Sequence, residues 1–148
     1  MNIQRLGMEH FDAIVQFNKL CFPLDPWPEE DWKMLLEDER SIYYALLDAG
    51  QIIGCVFVYN WQGEKDYVKI MDMAVHPNHR NHCYGRQLLN YVTGQMQTLG
   101  MTRFRAETRA SNKAMQHVFD ICGYVFSAVE EEYYDSPTES AHKYILQL

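Results

Sequence analysis

Along the first half of the chain the apolar positions change period several times, and each change marks an element. Asn2 to Leu6 reads as a short strand, after which Phe11, Ile14, Phe17 and Cys21 recur at helical spacing until Pro23 stops the pattern. In FPLDPWPEEDW the chain turns. Pro28 followed by Glu29, Glu30 and Asp31 reads as a helix start, with Trp32, Leu35 and Leu36 on the inner face. The β-branched and aromatic runs Ile42 to Leu47 and Ile52 to Tyr59, split by Asp48, Ala49 and Gly50, predict an antiparallel hairpin. Trp61, Gln62 and Gly63 predict the next turn, and Tyr67 to Val75 another strand. Gly85, Leu88, Leu89, Val92, Met96 and Leu99 then lie on one face of a long helix that Gly100 ends. Thr102 to Thr108 is a further strand. Ser111 is placed to cap a helix whose face is Met115, Val118, Phe119 and Cys122 and which Gly123 closes. Two strands, Tyr124 to Tyr134 and His142 to Leu148, finish the chain around the polar turn DSPTES. Strands alternating with helices in the middle, and hairpins on either side, predict an α/β fold: a mixed sheet covered by helices.

Chemistry enters where the strand ending at Val75 meets the long helix. The stretch MAVHPNHRNHCYGR, Met73 to Arg86, runs from an apolar strand through Pro77 and an Arg- and His-bearing loop to Gly85. The first N–H groups of the following helix have no partner within the helix, and its dipole favours negative charge there, so this junction predicts a phosphate cradle. Charge agrees: from Met73 to Ala106 there is no Asp or Glu, while Arg80, Arg86, Arg103 and Arg105 fall inside that window.

Elsewhere the chain is acidic, with a formal net charge of -7 over 148 residues. That balance argues against nucleic acid or an anionic membrane as partner and favours a cationic or amine one. With 47% hydrophobic residues the length supports a single domain, residues 1–148. Cys21, Cys55, Cys83 and Cys122 are scattered, and the start MNIQRLGMEHF has no apolar run, so the expectation is reduced thiols in a cytoplasmic protein. No apolar run approaches the length of a membrane span.

The order of elements, the loop RNHCYGR, the run ETRASNKAMQHVFDICGY and the preceding AVHPNHR together resemble the GNAT superfamily of acyl-CoA N-acetyltransferases, over nearly the whole chain. Within it, CFPLDPWPEEDW, AVHPNHR, the ETRASN run and the closing EEYYDSPTESAHKYILQL are most similar to the branch that acetylates the N-terminal amine of a ribosomal protein. The resemblance implies the GNAT fold, a mostly antiparallel central sheet of about seven strands flanked by about four helices. It also implies acetyl-CoA as co-substrate, no metal, and transfer to a primary amine by direct attack in a ternary complex. A peptide or protein N-terminus is the first expectation for the acceptor. A small amine such as a polyamine or amino sugar is the second, and a non-catalytic acyl-CoA-binding module the third. Nothing in the sequence sets the oligomeric state.

By the same resemblance Met73, Ala74 and Val75 hold the pantetheine arm, and Arg80, Asn81, His82, Cys83, Tyr84, Gly85 and Arg86 form the pyrophosphate loop. Asn112 matches the Asn that touches that arm or its bound water, and Glu107 matches the catalytic base. Other readings remain open for some of these. Glu107 could pair with Arg103 or Arg105 on its own strand face, and Asn112 could be a mere first-turn residue behind the Ser111 cap. His76, His79 and His82 lack a completing ligand set and read as a basic rim. Tyr43, Tyr44, Trp27, Trp32, Tyr133 and Tyr134 read as packing groups or substrate walls, and Glu130, Glu131 and Glu132 as a solvated strand face or a selector for cationic acceptors. The chain departs from the family at two places. Cys83 stands where the loop usually has its first Gly, and Phe119 where the branch places a Tyr thought to protonate the leaving thiolate, which leaves Tyr124, Tyr134 and Cys122 as other candidate acids.

Overall fold

In the computed structural model, which describes residues 1–60 and 66–148, seven strands form one sheet in the order β1-β2-β3-β4-β5-β7-β6. The strands are β1 Asn2–Leu6, β2 Ser41–Asp48, β3 Gln51–Tyr59, β4 Val68–Val75, β5 Arg103–Arg109, β6 Val125–Tyr134 and β7 Glu139–Gln147. The helices are α1 Phe11–Cys21, α2 Glu29–Glu37, α3 Tyr84–Thr98 and α4 Lys113–Ile121. Every neighbouring pair of strands runs antiparallel except β4 and β5. The expected turn at Trp61, Gln62 and Gly63 lies outside the described residues.

Two apolar layers cover the two faces of the sheet. On one, Leu88, Leu89, Val92 and Met96 of α3 and Phe119 of α4 pack on Ile42, Val56, Val58, Phe104 and Tyr144. Side chains of this size gain roughly 1.5–3 kcal/mol each when fully buried, so the α3 stripe anchors that layer. On the other, Ile14, Val15 and Phe17 of α1 and Trp32 of α2 pack on Tyr43, Ala45, Cys55 and Phe57. Trp27, in the α1–α2 loop, joins this layer by stacking on Trp32 at 4.7 Å, and its backbone N–H donates to Asn18 Oδ1 at 2.8 Å.

The start of α4 corrects one sequence expectation. Asn112, not Ser111, caps the helix: its Oδ1 accepts from the Met115 N–H at 3.0 Å. The Ser111 N–H instead donates to Glu139 Oε2 at 2.6 Å. Gly123 closes the helix in the left-handed region, φ +86°, as Gly100 does behind α3 at +92°.

Register along β4 sets up the site. Phe57 pairs with Asp72 but Val58 pairs with Ile70, so Met71 is an extra residue, a β-bulge. On its other side β4 pairs with β5 only at Val68–Phe104 and Lys69–Arg105. Beyond Lys69 the strands part, and β5 continues against β7 all the way to Arg109. The sheet is therefore split, and one edge of Ile70–Val75 is left without a strand partner.

Candidate active site

A cleft of about 190 Å³ occupies the split. Ile70 to Met73 of β4 and Glu107 to Arg109 of β5 form its two walls. Asn112, Met115 and Phe119 of α4 close it on one face of the sheet, and Phe22, Asp25 and Trp27 with Tyr134 of β6 on the other. The cleft thus meets both layers, so that two molecules approaching from opposite faces would meet inside it.

Glu107, 14% exposed in its side chain, faces the α1–α2 side because its cross-strand partner is Lys143 of β7 while the neighbouring pair, Ala106 and Tyr144, faces α4. Lys69 Nζ stands 2.9 Å from its Oε1 and Lys143 Nζ 3.9 Å from its Oε2, and the Tyr133 hydroxyl donates to Oε1. The ion pairs expected with Arg103 or Arg105 do not form. Arg103 turns to Asp66 at 2.8 Å and to Gln147, and Arg105 lies over the Tyr67 ring at 4.1 Å. Burial, helped by the Glu107 carboxylate, keeps the Tyr133 hydroxyl protonated well above its ordinary range.

Arg109 spans the mouth. Its guanidinium donates to Asp25 Oδ2 in the α1–α2 loop at 2.8 Å, to the Pro137 carbonyl at 2.8 Å and to Glu139 Oε1 at 3.3 Å, and it lies 4.5 Å over the Tyr134 ring. One side chain therefore ties the α1–α2 loop to the β6–β7 turn. Burial and the nearby carboxylates push the Tyr134 hydroxyl far above its usual range, so it stays protonated. Of the three candidate acids read from the sequence, Tyr134 alone lines the cleft. Tyr124 is 3% exposed with its hydroxyl 3.1 Å from Thr93 Oγ1, and the Cys122 thiol faces the Arg86 carbonyl at 3.9 Å. Phe119 lines the cleft too, its ring 4.9 Å from Tyr144 and 5.6 Å from Tyr124.

The expected phosphate loop sits at the head of α3. No side chain caps this helix, so its first N–H groups are free for an anion. Asn81 and Cys83 both adopt left-handed backbone, φ +67° and +63°. That conformation suits glycine, and Cys83 holds it with its side chain exposed to solvent. A Cβ on Gly85 would lie 3.3 Å from Met73 Cε and 3.6 Å from Val118 Cγ2, so glycine here lets the helix start close against β4 and α4. Arg80 Nε donates to the Val75 carbonyl at 3.2 Å and fixes the end of β4. His82 stacks near Tyr84 with ring centroids 5.6 Å apart, and Arg86 begins the exposed side of α3. Met73, Ala74 and Val75 lie on the unpaired edge, where an extended chain could add as a strand does. Free helix N–H groups, an open strand edge and a basic surround fit the thioester co-substrate implied by the sequence. Asn112 fits less simply, because its Oδ1 is spent on the cap and only its amide N–H groups remain to donate.

Sequence reasoning missed Asp72. It lies within the apolar run KIMDMAV, in the cleft wall, with Cys55 Sγ 4.0 Å from its Oδ2. A lone acid inside an apolar strand was the available signal.

A split mixed sheet, a bulged β4, an uncapped helix behind a basic loop and a cleft through the split define an acetyl-transfer fold. The acetyltransferase (GNAT) family profile matches residues 11–124, and the chain belongs to that family, the acetyl-CoA-dependent N-acetyltransferases. It is 28% identical to the [ribosomal protein bS18]-alanine N-acetyltransferase of Salmonella typhimurium, over 53% of this chain and about half, 51%, of that protein. Against the enzyme of that name from Haemophilus ducreyi it is 26% identical, over 80% of this chain and 92% of that one. The crystal structure of the ribosomal-protein-S18-alanine N-acetyltransferase from Escherichia coli superposes with a TM-score of 0.88 at 21% identity, covering 99% of this chain and 92% of that chain.

Proposed function

We propose that the protein transfers an acetyl group from acetyl-CoA to the N-terminal amine of a peptide or protein. The observation that carries this reading is the cleft through the β4–β5 split, which runs from Met73, the β4 residue against which the uncapped start of α3 packs at Gly85, to an acid-bearing, aromatic-walled entrance. The names of the relatives support an N-terminal acceptor, and a ribosomal one would place the enzyme in the cytoplasm, where its four free cysteines stay reduced.

On this reading the backbone N–H groups between Asn81 and Arg86 receive the pyrophosphate, and the open edge of Met73–Val75 receives the pantetheine arm. Asn112 donates to that arm from the start of α4. The acceptor enters between Phe22, Trp27 and Tyr134. Two protons must leave the acceptor nitrogen during the reaction, and Glu107 is a base at the junction. General base help of this kind contributes roughly 10²–10⁴ in rate.

The deciding experiment follows thiol release from acetyl-CoA on adding N-terminal peptides and, separately, polyamines and amino sugars. Release with peptides supports the reading. Release with small amines alone replaces the acceptor, and tight acetyl-CoA binding without release with any amine makes the protein a binding module.

A further inference from the structure

The reaction asks for two proton acceptors of different strength. An incoming ammonium must lose one proton before its nitrogen can attack, and after attack the same nitrogen, now a cation bonded to an acyl carbon, must lose a second. The second proton is far more acidic than the first. Glu107 suits the second transfer. Its oxygens already face Lys69, Lys143 and the Tyr133 hydroxyl, so an incoming ammonium would meet cations there, whereas the acidic N–H of the adduct needs only a weak acceptor.

We propose that Asp72 is the first proton acceptor, taking the ammonium proton as the acceptor enters, and that Glu107 takes the second proton from the tetrahedral adduct. The inference rests on the acetyl-transfer reading above.

Geometry places Asp72 for this. The bulge at Met71 turns Asp72 onto the face it shares with its pair partner Phe57, the side of α1, α2 and Trp27. Part of the residue opens on the cleft, while the carboxyl is surrounded by protein. Its neighbours are Cys55 from β3, Tyr43 from β2 and Cys21 from α1, none of them a cation. Burial pushes the Cys21 thiol up to about 11 and the Cys55 thiol and Tyr43 hydroxyl upward as well, so all three face Asp72 in neutral form. Arg80 is engaged with the Val75 carbonyl, and across the cleft stand Glu107, Tyr134 and the Arg109–Asp25 pair. Among the described residues no Lys or Arg forms an ion pair with Asp72. A buried carboxylate without a cation is costly, and an arriving ammonium relieves that cost either by pairing or by giving up its proton. Burial raises the Asp72 carboxyl to about 7, against the opposing pull of the Met73 N–H. That lies close to an α-amine at ~8, so the transfer is nearly balanced in energy.

The steps balance. R–NH3⁺ gives one proton to Asp72, and the freed lone pair forms the C–N bond at the thioester carbon. The charged nitrogen gives its second proton to Glu107, the C–S bond breaks, the thiolate takes one proton from solvent or from a hydroxyl that solvent reloads, and Asp72 and Glu107 return theirs to solvent. Each turnover releases one proton net.

The test compares wild type, Asp72→Asn and Glu107→Gln with two acceptors of the same peptide sequence. One carries an ordinary N-terminal amine, and the other an amine weakened by an electron-withdrawing substituent so that it is neutral at pH 7. With the ordinary amine Asp72→Asn should lose about 10²-fold in kcat/KM at pH 7. It should recover most of this with the weakened amine, or when pH rises above the ordinary amine's own pKa. Glu107→Gln should recover in neither case. Acetyl-CoA binding unchanged in Asp72→Asn shows that the fold is kept, and carbon NMR of the Asp72 carboxyl in wild type should titrate near pH 7. An equal loss with both acceptors at every pH, no loss at all, or a carboxyl midpoint below about pH 5 overturns the assignment while acetyl transfer stands. Wild type inert with every amine overturns both.

Discussion

Lys69 Nζ lies 2.9 Å from Glu107 Oε1, across the point at which β4 and β5 separate. The last register pair of that short ladder is Lys69 with Arg105, so the ion pair carries the contact between the strands one step past their final backbone bonds. It places a carboxylate in the wall of the cleft and fixes it there. Glu107→Gln keeps the shape and still accepts from Tyr133, but cannot take a proton. The rate should fall by about 10²-fold or more while acetyl-CoA affinity stays nearly constant. Single-turnover kinetics alongside a binding titration check this, and undiminished activity would leave Glu107 as a clamp between strands and nothing more.

The head of α3 gives a second prediction. Cys83 holds a backbone conformation in which an L side chain costs roughly 1–2 kcal/mol, partly offset by the extra chain entropy glycine loses on folding. Cys83→Gly should therefore stabilise the protein by about 0.5–1 kcal/mol, seen as a higher midpoint in denaturant, and should not weaken acetyl-CoA binding. Gly85→Val is the opposite case. Its Cβ would sit at 3.3 Å from Met73 Cε and its branches would press on Val118, moving the helix start whose amides we propose as the phosphate site. On the proposed reading it should weaken acetyl-CoA more than Arg80→Ala does, because Arg80 would add charge and braces Val75 whereas the amides would set the site. Calorimetric titration of the two variants ranks them.

Much of this was legible in the chain, for local reasons. Pro23, Gly50, Gly100 and Gly123 punctuate it, and β1 and α1 begin and end where the change of period says. The uncapped helix start behind a basic loop was legible because a charge gap and a glycine coincide there. The α4 cap was misplaced by one residue because Ser111 and Asn112 are both good caps, and only the pull of Glu139 on the Ser111 N–H decides between them. Glu107's partners were not legible. Spacing along β5 offers Arg103 and Arg105, but Lys69 and Lys143 reach it from neighbouring strands, and register across a sheet is a tertiary fact. Asp72 was hidden for the same reason: strict alternation along β4 would set it on the α3 face with Ile70, and it takes the bulge at Met71 to turn it to the α1–α2 face.

Asp72 also makes stability depend on pH. Its carboxyl titrates at about 7 in the folded chain and near ~4 when unfolded, so between those values the folded state binds more protons. Stability from this group is full below pH ~4 and is lost as pH rises through about 7. Asp72→Asn, which resembles the protonated form, should be more stable than wild type by roughly 1–3 kcal/mol at pH 8. The gap should close at pH 4. Denaturant titrations of both proteins at the two pH values measure it, and a gap that grows on acidification would show that Asp72 is stabilised as an anion by groups not yet identified.

The last prediction concerns the proton that the leaving sulfur needs. Phe119 lines the cleft without a hydroxyl, and of the three candidate acids read from the sequence Tyr134 alone lines it. Tyr134 is held protonated by burial and by the charges of Glu107, Glu139 and Asp25, with the Arg109 guanidinium over its ring as the one opposing influence. A donor kept protonated through the working range can deliver a proton at every pH at which the amine is reactive. If Tyr134 donates, Tyr134→Phe should lower the rate by about 10²-fold, and the loss should shrink with thioesters whose thiol is a better leaving group. Phe119→Tyr would then change little. If solvent alone protonates the thiolate, Tyr134→Phe should be nearly silent in chemistry and Phe119→Tyr should raise the rate. The added hydroxyl must reach the cleft rather than the Tyr144 and Tyr124 rings packed against Phe119. Rates for both variants across a series of acetyl thioesters separate the two cases, because only loss of a proton donor steepens the dependence on the leaving group.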